Sequence, residues 1–120
     1  MTNGDRICLH DDMSDPSHAV AVAYNLSAGW RAAWGGATVF GDVIDKRRVE
    51  TPWDSPIELF EWRVGEAARY VPRFNSLLVM WLDEGHAHGV EEVTSDEPRL
   101  SLIGIYARAE SAGDNGRSPG

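Results

Sequence analysis

The sequence predicts an all-β domain, an antiparallel sandwich or jelly roll. Roughly six to eight short apolar segments follow one another, turn residues separate them, and no long helical pattern interrupts them. In such a fold two sheets face each other and can enclose a pocket lined by inward-facing side chains. A chain of 120 residues has room for one core but not for two, so we expect one domain over residues 1–110.

The segments that predict strands are short, apolar or rich in β-branched and aromatic residues, and bounded by turn signals. They are Ala19–Leu26, 37–43 (ATVFGDV), Ile57–Val64, Phe74–Leu82, Val90–Thr94 and Leu100–Tyr106. Phe74–Leu82 is the most apolar and predicts a central strand. Ile57–Val64 could also form a short helix after Pro56, but its composition and the following Gly65 favour a strand that enters a hairpin.

The remaining stretches are polar. Asp45–Ser55 predicts a loop or insertion, and the prolines of TPWDSP support this. The turn-rich SDEP separates the last two predicted strands. The tail Ser111–Gly120 has almost no apolar residue and predicts disorder.

Composition excludes several classes of partner. The net charge of -8 argues against a nucleic-acid binder, and acidic residues flank the one basic cluster, Lys46-Arg47-Arg48, which we interpret as a solvated loop. No apolar run approaches the roughly 18 residues of a membrane span, and the N-terminus lacks the order of a signal peptide. A single cysteine, Cys8, fits a reducing compartment, so we expect a cytoplasmic protein.

His10-Asp11-Asp12 contains a candidate metal site. In extended backbone, residues i and i+2 share a face, so His10 and Asp12 can reach one ion while Asp11 points away. A histidine from a neighbouring strand, in EGHAHGV (His86 or His88), would complete two histidines and one carboxylate. Non-haem Fe(II) oxygenases prefer this ligand set. The H-x-D pattern alone is weakly specific because it is common by chance.

Arg99 lies 11 residues after His88, and Ser101 shares its strand face. A strand with His88, a tight turn and a returning strand would bring the guanidinium near the metal. Arginine can clamp a carboxylate through two parallel hydrogen bonds, so a dicarboxylate could chelate iron at one end and bind Arg99 at the other. The alternative is that Arg99 starts an exposed strand and pairs with Glu97 or Asp96.

Four segments together resemble a known family. They are LHDD, YNLSAGWRAAWGGATVF, VPRFNSLLVMW and HGVEEVTSDEPRLSLIGIYAR, which span the chain from about Leu9 to Arg108. In this order they resemble the 2-oxoglutarate- and iron(II)-dependent dioxygenases, in the branch that looks like prolyl 4-hydroxylases. Trp30–Gly36 and Pro72–Asn75 are more specific than H-x-D. We interpret the tryptophans and glycines of the first of these as structural, for aromatic packing and a permissive backbone.

The resemblance implies a double-stranded β-helix, a cupin-like variant of the jelly roll, with Fe(II) held by His10, Asp12 and His88. It implies that Arg99 binds the distal carboxylate of the cosubstrate 2-oxoglutarate, with Ser101 nearby. The implied activity is hydroxylation of a prolyl residue or a small molecule, with release of succinate and CO2. Asp12 favours hydroxylation over halogenation, since related halogenases lack that carboxylate. Ascorbate is a further cofactor that the resemblance allows.

Two assignments within the resemblance need a choice. His88 is favoured over His86 because the family's ligand is followed by a pattern like GVEEV and because Arg99 then falls at the expected distance. In many relatives a tyrosine on the second strand contacts the cosubstrate. Alignment on the WGG segment puts Asn25 at that place with Tyr24 beside it, so either residue is a candidate.

The N-terminal region departs from the family pattern. Relatives carry helices and strands before the H-x-D, whereas nine residues precede His10 here, so the fold is expected to lack the usual N-terminal helices and strands. An uncovered sheet edge predicts self-association, that is, a homo-oligomer. The alternative function is a truncated jelly roll that binds metal or a carboxylate ligand, or acts in assembly, without turnover. His18, in a turn after Pro16, is given no role.

Overall fold

The computed structural model describes residues 1–50 and 59–109, which form a jelly roll of two antiparallel sheets. Eight strands are present in these residues: β1 Ile7–His10, β2 His18–Asn25, β3 Thr38–Val49, β4 Leu59–Val64, β5 Ala68–Tyr70, β6 Ser76–Trp81, β7 His86–Val90 and β8 Ser101–Ala107. The predicted all-β fold is confirmed. The predicted disordered tail lies outside the described residues. Within the described ranges, no helix has the length and apolar character needed to cross a membrane.

The two sheets face each other. One has the order β1-β7-β3-β4, with β5 also paired to β3, and the other has the order β6-β2-β8. Side chains of β2 alternate across its sheet, so Ala21, Ala23 and Asn25 are buried between the sheets. A small core forms there around Ala21, Met80 and Leu82.

The loop predicted at Asp45–Ser55 is wrong for its first part, which belongs to β3. This part of β3 pairs in a continuous ladder with β4. The ammonium of Lys46 lies 4.2 Å from the centre of the Phe60 ring and 4.6 Å from that of Trp62. Pairing with a distant segment therefore holds this polar sequence in a strand that its local composition does not favour. Residues 51–58 lie outside the described part of the chain.

Gly65 does not form the predicted hairpin turn. Its N–H donates to the carbonyl of Asp42 on β3 at 2.9 Å. The chain then continues as β5, which also pairs with β3. β4 and β5 are thus two parts of one path beside β3.

The apolar segment around β6 is an edge strand in the described sheet, not the predicted central strand, which is β2. Leu77, Val79 and Trp81 of β6 are exposed, whereas Met80 is buried. The apolar run was compatible with burial on both faces, but only alternate side chains are covered.

Candidate active site

Three potential metal ligands meet where β1 and β7 pair. His10 ends β1 and lies opposite His88 of β7, with 4.4 Å between the ring centroids. Asp12 follows β1. One of its oxygens, Oδ1, is 3.3 Å from Nε2 of His10, and the other, Oδ2, is 2.9 Å from Nε2 of His88. One ligand atom from each residue can be chosen so that all lie within 4.8 Å of one another.

Asp12 reaches this position through a turn and not through strand alternation. β1 ends at His10, and Asp12 has φ +60°, in the left-handed region. The expected strand parity of His10 and Asp12 is therefore wrong, although their side chains do meet. Nδ1 of His18 lies 2.9 Å from the Asp12 carbonyl oxygen, which can only accept, so Nδ1 is the donor. The Asp11 carboxylate accepts the Met13 N–H at 2.9 Å and lies outside the triad.

The tautomer of His10 and the lowered pKa of His88 suit metal binding. Nδ1 of His10 donates to the Cys8 carbonyl oxygen at 2.7 Å, which leaves Nε2 unprotonated in the neutral ring and directed at Asp12. Burial, and next the proximity of His10, lower the pKa of His88 below the usual 6.5, while Asp12 opposes the shift. His88 is therefore neutral at neutral pH, the form in which imidazole binds a metal.

Arg99 is a buried cation, with only 4% of its surface exposed. Its Nε donates to the Gly36 carbonyl oxygen at 2.7 Å, and its two terminal nitrogens donate to the hydroxyls of Thr38 at 3.2 Å and Ser101 at 3.3 Å. Burial lowers the pKa of Arg99, but a guanidinium remains charged. The alternative, in which Arg99 pairs with Glu97 or Asp96, is not formed, since no carboxylate of the described residues makes an ion pair with it. A desolvated charge of this kind favours an anionic ligand.

Arg99 arrives from the opposite sheet, so the predicted hairpin between the His88 strand and the Arg99 strand is wrong. β7 belongs to the first sheet and β8 to the second. The predicted strand Val90–Thr94 begins earlier, at His86, and ends at Val90, beyond which Val93 forms an isolated bridge with Gly35.

One cavity of about 150 Å³ between the sheets is lined by the triad and by Arg99, Thr38 and Ser101. Most of its other lining side chains are apolar: Ile7, Ala21, Ala23, Met80, Val90, Ile103 and Ile105. Ligand atoms bound at about 2.1 Å and at right angles around one ion lie about 3 Å apart, close to the His–Asp distances here. The donor set therefore fits Fe(II). The guanidinium fits a carboxylate in the same cavity.

Comparison with protein families gives a match over most of the chain. The model of the 2OG-Fe(II) oxygenase superfamily matches residues 1–107. The chain belongs to this superfamily. The assignment supports an oxygenase that uses Fe(II) and 2-oxoglutarate. A search of curated proteins finds no match.

The two candidates for an additional cosubstrate contact lie on opposite faces of β2. Asn25 points inward, on the same face as Ala23 of the oxygenase cavity, and its amide nitrogen donates to the Ser76 hydroxyl at 3.1 Å. Its Oδ1 is buried without a hydrogen-bond partner among the described residues. Tyr24 points outward and donates to Asn75, so the structure does not bring Tyr24 to the site.

His86 lies outside the triad. Its Nδ1 is 2.7 Å from Asp83 and its Nε2 is 2.9 Å from Asp42. The hydrogen bond with Asp83 is the main cause that raises the pKa of His86. The ring of Phe40 stacks on His86 and His88, with centroids at 5.2 and 6.5 Å. The structure therefore groups His88 with His10 and Asp12, whereas His86 lies outside this cluster and does not line the cavity.

Sequence reasoning missed three contributors. His18 supports the Asp12 backbone, Thr38 binds Arg99, and Gly36 supplies both a carbonyl and space. A Cβ on Gly36 would lie 2.9 Å from Arg99 Cδ. Alternation along β3 could have predicted that Thr38 faces inward, on the same face as Phe40. The WGG segment was interpreted as structural, and its second glycine also positions the Arg99 side chain.

Proposed function

We propose that this chain is an Fe(II)- and 2-oxoglutarate-dependent hydroxylase of the prolyl 4-hydroxylase-like branch, acting on a prolyl residue or a small molecule. One observation carries the proposal. A single cavity contains a two-histidine, one-carboxylate cluster and a buried guanidinium that has no acidic partner among the described residues.

The three ligand side chains bind the iron together in this proposal. His10, Asp12 and His88 hold the iron on one side, which leaves its remaining positions for cosubstrate and oxygen. When bound, iron and 2-oxoglutarate supply the oxidising chemistry, with succinate and CO2 as products. Asp12 supplies the carboxylate that related halogenases lack, so hydroxylation is the expected outcome.

Arg99 binds the distal carboxylate of 2-oxoglutarate in this proposal. The hydrogen bonds to Gly36, Thr38 and Ser101 fix the plane of the guanidinium before the ligand arrives, so less side-chain entropy is lost on binding. Ascorbate would serve as an additional cofactor. The free and exposed Cys8 is compatible with work in the cytoplasm.

The test compares two histidines of one strand. Fe(II) and 2-oxoglutarate are titrated anaerobically into wild type, His88→Ala and His86→Ala, and the visible charge-transfer band of the chelate is recorded. Succinate formation in air is then measured. We expect His88→Ala to lose both signals and His86→Ala to retain them, because only His88 belongs to the triad.

Two outcomes would contradict the proposal. Loss of both signals only in His86→Ala would reverse the ligand assignment. A chelate band in wild type without any succinate would mean a binding protein without turnover, which is the alternative function. Arg99→Met adds a third arm, since it should weaken 2-oxoglutarate binding while metal binding persists.

A further inference from the structure

β8 is exposed on both of its faces. Leu102 and Tyr106, on the outer face of the sheet, are 66% and 64% exposed, and Ile103 and Ile105, which line the cavity, are 66% and 42% exposed. β6, at the other edge of the same sheet, has its inner residues Leu78 and Met80 partly or fully buried. The sandwich is therefore open beside β8.

The backbone of β8 also presents hydrogen-bonding groups that are unpaired among residues 1–50 and 59–109. The Leu100 carbonyl accepts from Leu26 N–H, and Arg108 N–H donates to the Ser17 carbonyl. Because backbone direction alternates along a strand, the N–H and C=O groups of the even-numbered residues of β8 point at β2. The N–H and C=O groups of residues 101, 103, 105 and 107 then point away from the sheet. Within the described ranges β8 pairs with β2 alone.

One end of this open edge is already paired. Arg99 N–H donates to the Met1 carbonyl at 2.8 Å, and the Met1 ammonium donates to the Arg99 carbonyl at 3.0 Å. These two reciprocal bonds form one antiparallel pair on the outward side of the strand. The unpaired edge consequently begins at Ser101 and continues to Ala107.

We infer that this edge pairs with β8 of a second copy in an antiparallel ladder centred on Gly104. The sequence SLIGIYA suits a two-fold axis, because Leu102 then faces Tyr106 on the outer side and Ile103 faces Ile105 on the inner side. No charged residue or proline, the usual protection of an edge strand, occurs in β8. The inner Ile103 and Ile105 of the second copy would close the open side of the cavity.

The dimer is expected to be weak, because an edge-to-edge contact of seven residues buries less than the roughly 800 Å² per partner of a standard interface. We expect a Kd on the order of micromolar. Sedimentation of the full chain should show a change from 13.2 kDa to twice that mass as the concentration rises.

Ile105→Pro is the decisive variant, with Ile105→Val as its matched control. Proline removes an N–H that points outward, so the ladder with β2 keeps all its bonds while the edge is blocked. Ile105→Pro should remain monomeric with an unchanged far-ultraviolet spectrum, and Ile105→Val should dimerise. A monomeric wild type at all concentrations, or a dimeric Ile105→Pro, would overturn the inference.

Hydrogen exchange and cross-linking test the register without a destabilising change. The amides of residues 101, 103, 105 and 107 should gain protection with concentration, while those of 102, 104 and 106 are protected throughout. In a Cys8→Ser background, Gly104→Cys should form an intermolecular disulfide and Leu102→Cys should not, because only residue 104 faces itself across the axis. Protection of the odd-numbered amides in the monomer, or cross-linking through Leu102→Cys alone, would contradict this pairing.

Discussion

Replacing Gly36 by alanine tests whether the position of the Arg99 guanidinium determines cosubstrate binding. Gly36 has φ +70°, and an added Cβ would lie 2.9 Å from Cδ and 3.3 Å from Nε of Arg99. Gly29 has φ +69° with no atom within 4 Å of its would-be Cβ. Gly29→Ala is therefore a matched control, because it imposes nearly the same positive φ on alanine without contact with Arg99.

The structure sets the size of the expected effect. A left-handed backbone costs alanine about 1–2 kcal/mol in both variants. Gly36→Ala also displaces Arg99, whose Nε donates to the Gly36 carbonyl, and a hydrogen bond to a charged group contributes about 1.5–3 kcal/mol. The free energy of unfolding of Gly36→Ala should lie about 2 kcal/mol below that of Gly29→Ala, which corresponds to about 8 °C in Tm for a domain of this size.

The assay combines thermal unfolding with an anaerobic titration of 2-oxoglutarate in the presence of Fe(II). Loss of one aligned charge-assisted contact should raise the Kd for 2-oxoglutarate about 10- to 100-fold in Gly36→Ala and leave it near wild type in Gly29→Ala. Equal stability of the two variants would refute the packing argument. Lower stability of Gly36→Ala with an unchanged Kd would refute the role of Arg99.

Four further perturbations address the metal cluster and its surroundings. In Gly89→Ala, the new Cβ would lie 2.6 Å from the Ile7 carbonyl oxygen, so β1 must move away from β7. Metal affinity should then fall at least about 10-fold. Gly65→Ala is the control, because its Cβ makes only ordinary contacts, and it should retain the metal affinity of the wild type. His18→Ala should weaken metal binding about 3- to 10-fold, and His18→Asn should restore it, because asparagine can donate to the Asp12 carbonyl. Equal metal affinities of wild type and His18→Ala would exclude this support. The lowered pKa of His88 means that the unfolded state takes up the proton more readily, so metal-free protein should lose stability as pH falls through 6.5, and His88→Gln should reduce that loss. The raised pKa of His86 has the opposite effect, with stability lost as pH rises above 6.5. In urea unfolding, His86→Gln should therefore reduce the loss of stability on the alkaline side. A steeper dependence of stability on pH would contradict the raised pKa of His86.

The sequence predicted that His10, Asp12 and His88 come together, but not the way in which the backbone presents them. H-x-D spacing brought His10 and Asp12 together on the assumption of a strand, whereas Asp12 lies in a turn with φ +60°. Such a conformation in a non-glycine residue depends on its surroundings, here the hydrogen bond from His18, which lies six residues further on. Local pattern carries no signal for it.

Long-range pairing accounts for the other differences. Polarity predicted a loop around Lys46, yet that segment extends beside β4 because Phe60 and Trp62 lie across from it. For the cosubstrate contact, a shift of one residue between Tyr24 and Asn25 changes the face of β2 completely. The predicted hairpin between His88 and Arg99 failed for the same reason, since the connection from β7 to β8 crosses between the sheets.

The cosubstrate anchor and the open edge belong to one continuous segment, which makes their coupling testable. Met1 holds the backbone of Arg99 from the outward side, and a second copy would extend the same ladder from Ser101 onward. Dimerisation should therefore restrict Arg99 and Ser101, whereas His10 and His88 lie on the other sheet. By linkage, 2-oxoglutarate should then favour the dimer and dilution to monomer should raise its apparent Kd. Metal affinity in the absence of 2-oxoglutarate should stay constant on dilution, and a parallel loss of both affinities would show that the edge supports the whole sandwich and not the anchor.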